Sequence, residues 1–222
     1  MFIGHYALAF AAKRAAPAAS LGTLVLAAQF LDVLWPVFVL AGIERFEIAP
    51  GITAVTPLDF VSYPYSHSLL TSALWAGLFG GIYLSLRGNG RAALVLAALV
   101  LSHWLLDAAS HRPDMPLAPG GEMRVGLGLW NSLPATLAVE GLLFAVCLWS
   151  YLGFTRANDR IGSVNLWALV AVLLLAYFGA VFGPPPPSVD AVAYSGLAGW
   201  LFVGWGYWID RHRSAATATA TA

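Results

Sequence analysis

Six apolar runs, each close to 20 residues long, divide this chain, and no other feature restricts its fold so tightly. They cover about residues 18–42, 67–86, 91–110, 134–154, 162–183 and 190–209. A run of that length crosses the roughly 30 Å hydrocarbon core of a bilayer as a helix. In lipid only a helix or a closed barrel can satisfy its own backbone. Composition agrees: of 222 residues, 59% are hydrophobic and 10% charged, where a soluble domain typically carries about 25% charged residues. The expected class is therefore all-α, a polytopic membrane helix bundle of about six transmembrane helices plus a short N-terminal half-helix. Residues 1–213 are read as one integral membrane domain. The stretch "SAATATATA", 214–222, is read as a disordered low-complexity tail.

The distribution of Lys and Arg orients the bundle. With the N-terminus inside, Lys13, Arg14, Arg87, Arg91, Arg156, Arg160, Arg211 and Arg213 fall inside, eight of the 11 basic residues. Arg45, Arg112 and Arg124 fall outside. The expectation is a multi-pass protein of a prokaryotic inner membrane with both termini cytoplasmic. Two long connections, 43–66 and 111–133, then face outward. In "MFIGHYALAFAAKRAAP" the basic pair follows the apolar stretch, the reverse of a signal peptide. Net charge is zero, so no basic footprint points to nucleic acid. The single cysteine, Cys147, excludes an internal disulfide and a thiolate metal cluster.

Against this apolar background the polar residues stand out. Asp32 lies inside "AAQFLDVLWP", where an unpaired carboxylate costs several kcal/mol or so. His67 opens the second run. His103 and Asp107, four residues apart, share a helix face near the end of the third. His111 continues the step, although Pro113 disfavours helix just beyond it. In the topology above, these groups converge at one depth. His5 reaches that depth if residues 2–12 re-enter the bundle, the pose favoured here; a helix lying flat in the interface would keep it away. Imidazole nitrogens and carboxylate oxygens without thiolates suit a divalent transition metal such as zinc, manganese or iron, as one or two ions. The candidate ligands are His5, Asp32, His67, His103, Asp107 and His111. Asp107 is the candidate bridge and Asp32 a ligand or base. Glu140, buried in the fourth run, is a candidate base or orienter of a ligand. Asp32, Asp107 and Glu140 are thus the candidate catalytic acids. No G-x-S-x-G supports a serine hydrolase.

"GHYALAF", "FLDVLWP", "YPYSHSLL" and "SHWLLDAASHRPDMPL" together resemble the motif series of the predicted membrane-bound metal-dependent hydrolases, over about the first 135 residues. The family pattern maps onto His5, Asp32, His67, His103 and Asp107. The chain departs from it in having one acid in "FLD", where Pro-Asp-x-Asp is frequent, and "YPY" where His-Arg-Gly is frequent. A looser similarity, in the order of His and Asp, is to the zinc-dependent phospholipase C and P1 nuclease group. The resemblance implies a hydrolase that acts on a lipid or lipid-linked phosphoester near the outer leaflet. Two other functions remain open. One is an ion- or proton-coupled transporter, against which no symmetric pair of broken helices is visible in the sequence. The other is a structural protein whose metal staples its helices.

Overall fold

The computed structural model describes residues 1–216. It is mostly helical. The helices are α1 (Ile3–Ala15), α2 (Leu21–Ala28), α3 (Phe30–Leu40), the single turn α4 (Pro64–His67), α5 (Leu69–Arg87), α6 (Gly90–Ser110), α7 (Leu133–Phe154), α8 (Arg160–Phe182), α9 (Val189–Leu197) and α10 (Gly199–Arg211). Side chains of Ser20, Ser68, Asn89, Ser132, Asp159 and Ser188 cap α2, α5, α6, α7, α8 and α9 by accepting a first-turn amide. These are the residue types that favour a helix start, because their oxygen meets an amide with no partner in the helix.

Four helices, α5 to α8, are long and apolar enough to cross a membrane, and α2 with α3 makes a fifth if that bent pair is one span. The outer face of α5 carries Leu70, Leu74, Leu78, Ile82 and Leu86 in a four-residue stripe, all half or more exposed. Such a stripe is stable against lipid and costly against water. The chain has the features of a multi-pass membrane protein.

The count of six spans is not matched. The first expected span is broken at Gln29, where α2 and α3 meet at 55°. The last is interrupted at Ala198, and neither α9 nor α10 is long enough to cross alone. Packing accounts for both interruptions. α3 lies against α9 and α2 against α10, with very close approaches: a methyl on Gly196 would lie 2.6 Å from Pro36 Cγ, and one on Gly206 would lie 2.9 Å from the Gly22 backbone.

α1 is buried on nearly every face, among α7, α2 and α6. Its amides at Phe2 and Gly4 donate to Glu140 Oε2 at 2.9 and 3.2 Å. The carboxylate thus sits at the positive end of the helix dipole. At the other end Lys13 Nζ donates to Ala19 O at 2.9 Å and to Asp210 Oδ1 at 2.7 Å. The flat interfacial pose considered for this segment is not adopted.

Three two-stranded ribbons complete the described residues. β1 (Arg45–Ile48) pairs with β2 (Leu58–Ser62), and β3 (Met115–Pro116) with β4 (Arg124–Val125). β5 (Thr155–Ala157) pairs with β6 (Arg213–Ala215). The last pairing holds Ser214 and Ala215 in the fold, so the expected tail does not begin at 214; Ser214 Oγ also donates to Asn158 Oδ1 at 2.7 Å. Residues 217–222 of that tail lie outside the described residues. The two long connections join one another through Ala54 N and the Trp130 carbonyl, 3.0 Å apart, and by an ion pair between Arg112 and Asp59.

Candidate metal centre

α6 presents His103 and Asp107 one turn apart, both buried. The break at Gln29 brings Asp32 of α3 to the same place, the turn α4 delivers His67, and α1 delivers His5. The donor atoms of His67, His103, Asp32 and Asp107 alternate around one point. His103 Nε2 lies 3.1 Å from Asp107 Oδ2 and 3.5 Å from Asp32 Oδ1. His67 Nε2 lies 3.5 Å from Asp32 Oδ1 and 3.7 Å from Asp107 Oδ2. Around a tetrahedral ion with bonds of about 2.0–2.1 Å, neighbouring donors are ~3.3 Å apart. His5 Nε2 meets the other oxygen, Asp107 Oδ1, at 3.1 Å, and the Met1 amino nitrogen contacts the same oxygen. The His5 ring stacks on that of His103, with centroids 3.6 Å apart and planes within 2°.

Two hydrogen bonds fix the imidazole tautomers. In an unbroken helix the Ala28 carbonyl would take the amide of Asp32. At the bend it takes the proton on His103 Nδ1, at 2.7 Å. A carbonyl only accepts, so Nδ1 carries hydrogen and a neutral ring has its lone pair at Nε2. For His67 the order is set by Glu44. Ser66 Oγ donates to Glu44 Oε2 at 2.6 Å and therefore accepts from His67 Nδ1 at 2.7 Å. Glu44 Oε1 is held by the amides of Tyr65 and Ser66, both at 2.8 Å. In neutral rings both Nε2 lone pairs would face carboxylate oxygens, acceptor against acceptor. His103 Nε2 is buried with no hydrogen-bond partner. A cation at the centre removes that conflict, and the donor set fits one: the buried group of His5, His103 and Asp107, and the group of half-buried Asp32 with buried His67 and His103, are each close enough to hold a metal ion.

Of the candidate residues, the structure brings together His5, Asp32, His67, His103 and Asp107. It sets His111 and Glu140 apart. α6 ends at Ser110, and His111 is extended at φ −66°, ψ 150°, so the four-residue step is lost and the ring turns away. His111 Nδ1 pairs with Asp114 Oδ1 at 3.0 Å, which also accepts from Tyr63 Oη at 3.0 Å. The ring packs between Phe60 and Trp130. Burial pulls the His111 imidazole below its usual range, although Asp114 opposes this. Burial alone would raise Asp114; hydrogen bonds from His111, Arg112 and Tyr63 outweigh it and hold the carboxyl below the usual range. Glu140 caps α1 and makes no hydrogen bond to the cluster among the described residues.

A cavity of about 330 Å³ leads to the cluster, ending on Asp32, His67 and Asp107. Its walls are mainly aromatic and aliphatic, with Tyr6, Trp35, Phe60, Trp130 and Phe202 prominent. The Asp32 side chain is 45% exposed, against 5% for Asp107 and 6% for His67, so Asp32 is the group most open to this space.

No family model, curated protein or solved structure matches the chain. Sequence reasoning missed Glu44 and Ser66, which order His67. Ser66 stands beside His67 in "YPYSHSLL", and that adjacency was the only signal available. Glu44 had none, since acids in loops are ordinary.

Proposed function

We propose that the chain is a membrane-embedded, metal-dependent hydrolase that holds one divalent transition ion, zinc foremost, between His67, His103, Asp32 and Asp107. The observation that carries this reading is the ring of alternating nitrogen and oxygen donors at 3.1–3.7 Å. One ion is preferred to two because the Nε2 lone pair of His103 serves a single metal, while its Nδ1 is committed to Ala28. Such an ion supplies, when bound, polarisation of a substrate oxygen and acidification of a water.

The residues then divide the work. His103 and Asp107 are the rigid ligands, both inside α6. His67 is oriented by Ser66 and Glu44. Asp32, facing the cavity, is a ligand that can also accept a proton from an incoming water. His5 buttresses His103 and holds the far oxygen of Asp107, and Glu140 keeps α1 and therefore His5 in register. The resemblance of the motif series favours hydrolysis, and a phosphoester on a lipid or lipid-linked carrier is the proposed substrate. An inner membrane, with the site towards the outer leaflet, is the proposed location.

The test is metal content together with turnover of a phosphodiester in detergent. One equivalent of transition metal, lost in His103→Ala, and activity abolished by chelation and by Asp107→Ala are expected. Trace metal in both proteins removes the site; activity that survives chelation and Asp107→Ala removes metal hydrolysis.

A second reading has an observation of its own. The interrupted pairs α2–α3 and α9–α10 pack on one another, and broken helices facing each other across a polar site are a feature of transporters. A proton on His103 Nε2 would also satisfy the two carboxylates. Absence of metal with proton-coupled flux in vesicles would favour that reading.

A further inference from the structure

We infer that the cavity holds the tail of the substrate as well as admitting its head: it is a binding site for a single alkyl or isoprenoid chain whose oxyanion head reaches the His/Asp cluster. This rests on the metal-site reading above and deepens it.

Asp32, His67 and Asp107 form the cluster end of the cavity. Gln29, Thr56, His111, Glu140 and Ser195 also line it, and most of the remaining wall is aromatic and aliphatic. Such a wall does not bind a hydrophilic phosphoester, whose water would be stripped without replacement. It does bind hydrocarbon. The volume limits how much. At roughly 30 Å³ for each water-sized unit, a space of about 330 Å³ takes on the order of ten such units. That is the scale of one medium chain. The rim is formed by Val181 on α8, Val192 and Ser195 on α9, Val55 from the connection between β1 and β2, and Leu58 at the start of β2. These same residues border a second recess, so a longer chain can continue outward. Orientation follows from the ends: the oxyanion lies where Asp32 is open, and the chain runs towards Val181 and Ser195.

The test uses non-hydrolysable alkylphosphonates of two to fourteen carbons, with protein loaded with zinc and held in one detergent. Affinity should rise about three- to fourfold for each methylene up to about ten carbons, and more shallowly beyond, where the chain enters the outer recess. Val181→Trp fills the rim and should bind the two-carbon compound as the parent does, with the chain-length dependence flattened. Ser195→Phe, on the exposed side of α9, is the second variant and should flatten it too. Chelation should abolish binding at every length. The inference is overturned by affinity independent of chain length, by the same slope in the parent and both variants, or by length-dependent binding that persists after chelation. Because phosphonates are not cleaved, the measurement does not depend on hydrolysis. Failure to cleave the matching alkyl phosphates, with the phosphonate series intact, would remove the hydrolase reading and leave this one standing.

Discussion

His67 and His103 are the same residue type in the same cluster, yet they are anchored differently. His103 is fixed by a backbone carbonyl, and His67 by the Ser66 hydroxyl, itself fixed by Glu44. Removing a partner that orients a ligand typically costs about 10–100-fold in metal affinity. Ser66→Ala and Glu44→Gln should therefore each weaken zinc by roughly that factor, measured by competition with a chromophoric chelator. His111→Ala should leave affinity within about threefold, since its ring is bonded to Asp114 and not to the cluster; a loss as large as that of His67→Ala would restore it as a ligand. For turnover, Asp107→Ala should be at least as damaging as Asp32→Ala, and both worse than Glu140→Gln, which keeps an oxygen for the amides at the start of α1. The order would be reversed if Glu140 exchanged the proton of the reaction.

At the scale of elements, α5 to α8 are legible in the sequence because length and apolarity are all that a straight span requires. The bends are not. Hydropathy averages over Gln29 and Ala198, and what interrupts the helices there is a contact with another helix, which is not written locally. His103 and Asp107 are legible because a charge in an apolar run has no trivial explanation. The end of the helix before His111 is legible from Pro113; the bond of His111 to Asp114 is not, because it depends on how the loop folds back. The contact of α2 with α10 gives a prediction. Gly206→Ala puts a methyl 2.9 Å from the Gly22 backbone, which cannot move aside as a side chain can. It should destabilise by about 1–3 kcal/mol, seen as a lower melting temperature in detergent. Asp114 gives another. Its folded pKa lies below the usual range, so its bonds contribute stability above about pH 4. That contribution is lost as pH falls through the lowered value. Asp114→Asn should therefore be less stable than the parent at neutral pH, and the gap should close on acidification. A gap that is constant from pH 7 to 3 would show that the charge of Asp114 contributes nothing.

For the molecule as a whole, the distribution of Lys and Arg makes a claim about sidedness. Cysteines at Asn89 and Asn158 should be labelled only after permeabilisation, and cysteines at Thr53 and Gly121 in intact cells. The native Cys147 is buried and gives little background. Reversed labelling would put the cluster at the cytoplasmic side. The central position of α1 bears on how the molecule is made. The Phe2 amide is bonded to Glu140, 138 residues later in the chain. At a synthesis rate of about 5–20 residues per second, that partner arrives ~7–28 s after the helix it caps. Until residue 140 is made, the segment carrying His5 lacks α7, and for most of that time α6 as well. Its packing against α6 and α7 is complete only once those helices have been made. A ribosome-bound chain that ends before α7 therefore carries His5, Asp32, His67, His103 and Asp107 but lacks the Glu140 carboxylate that caps α1.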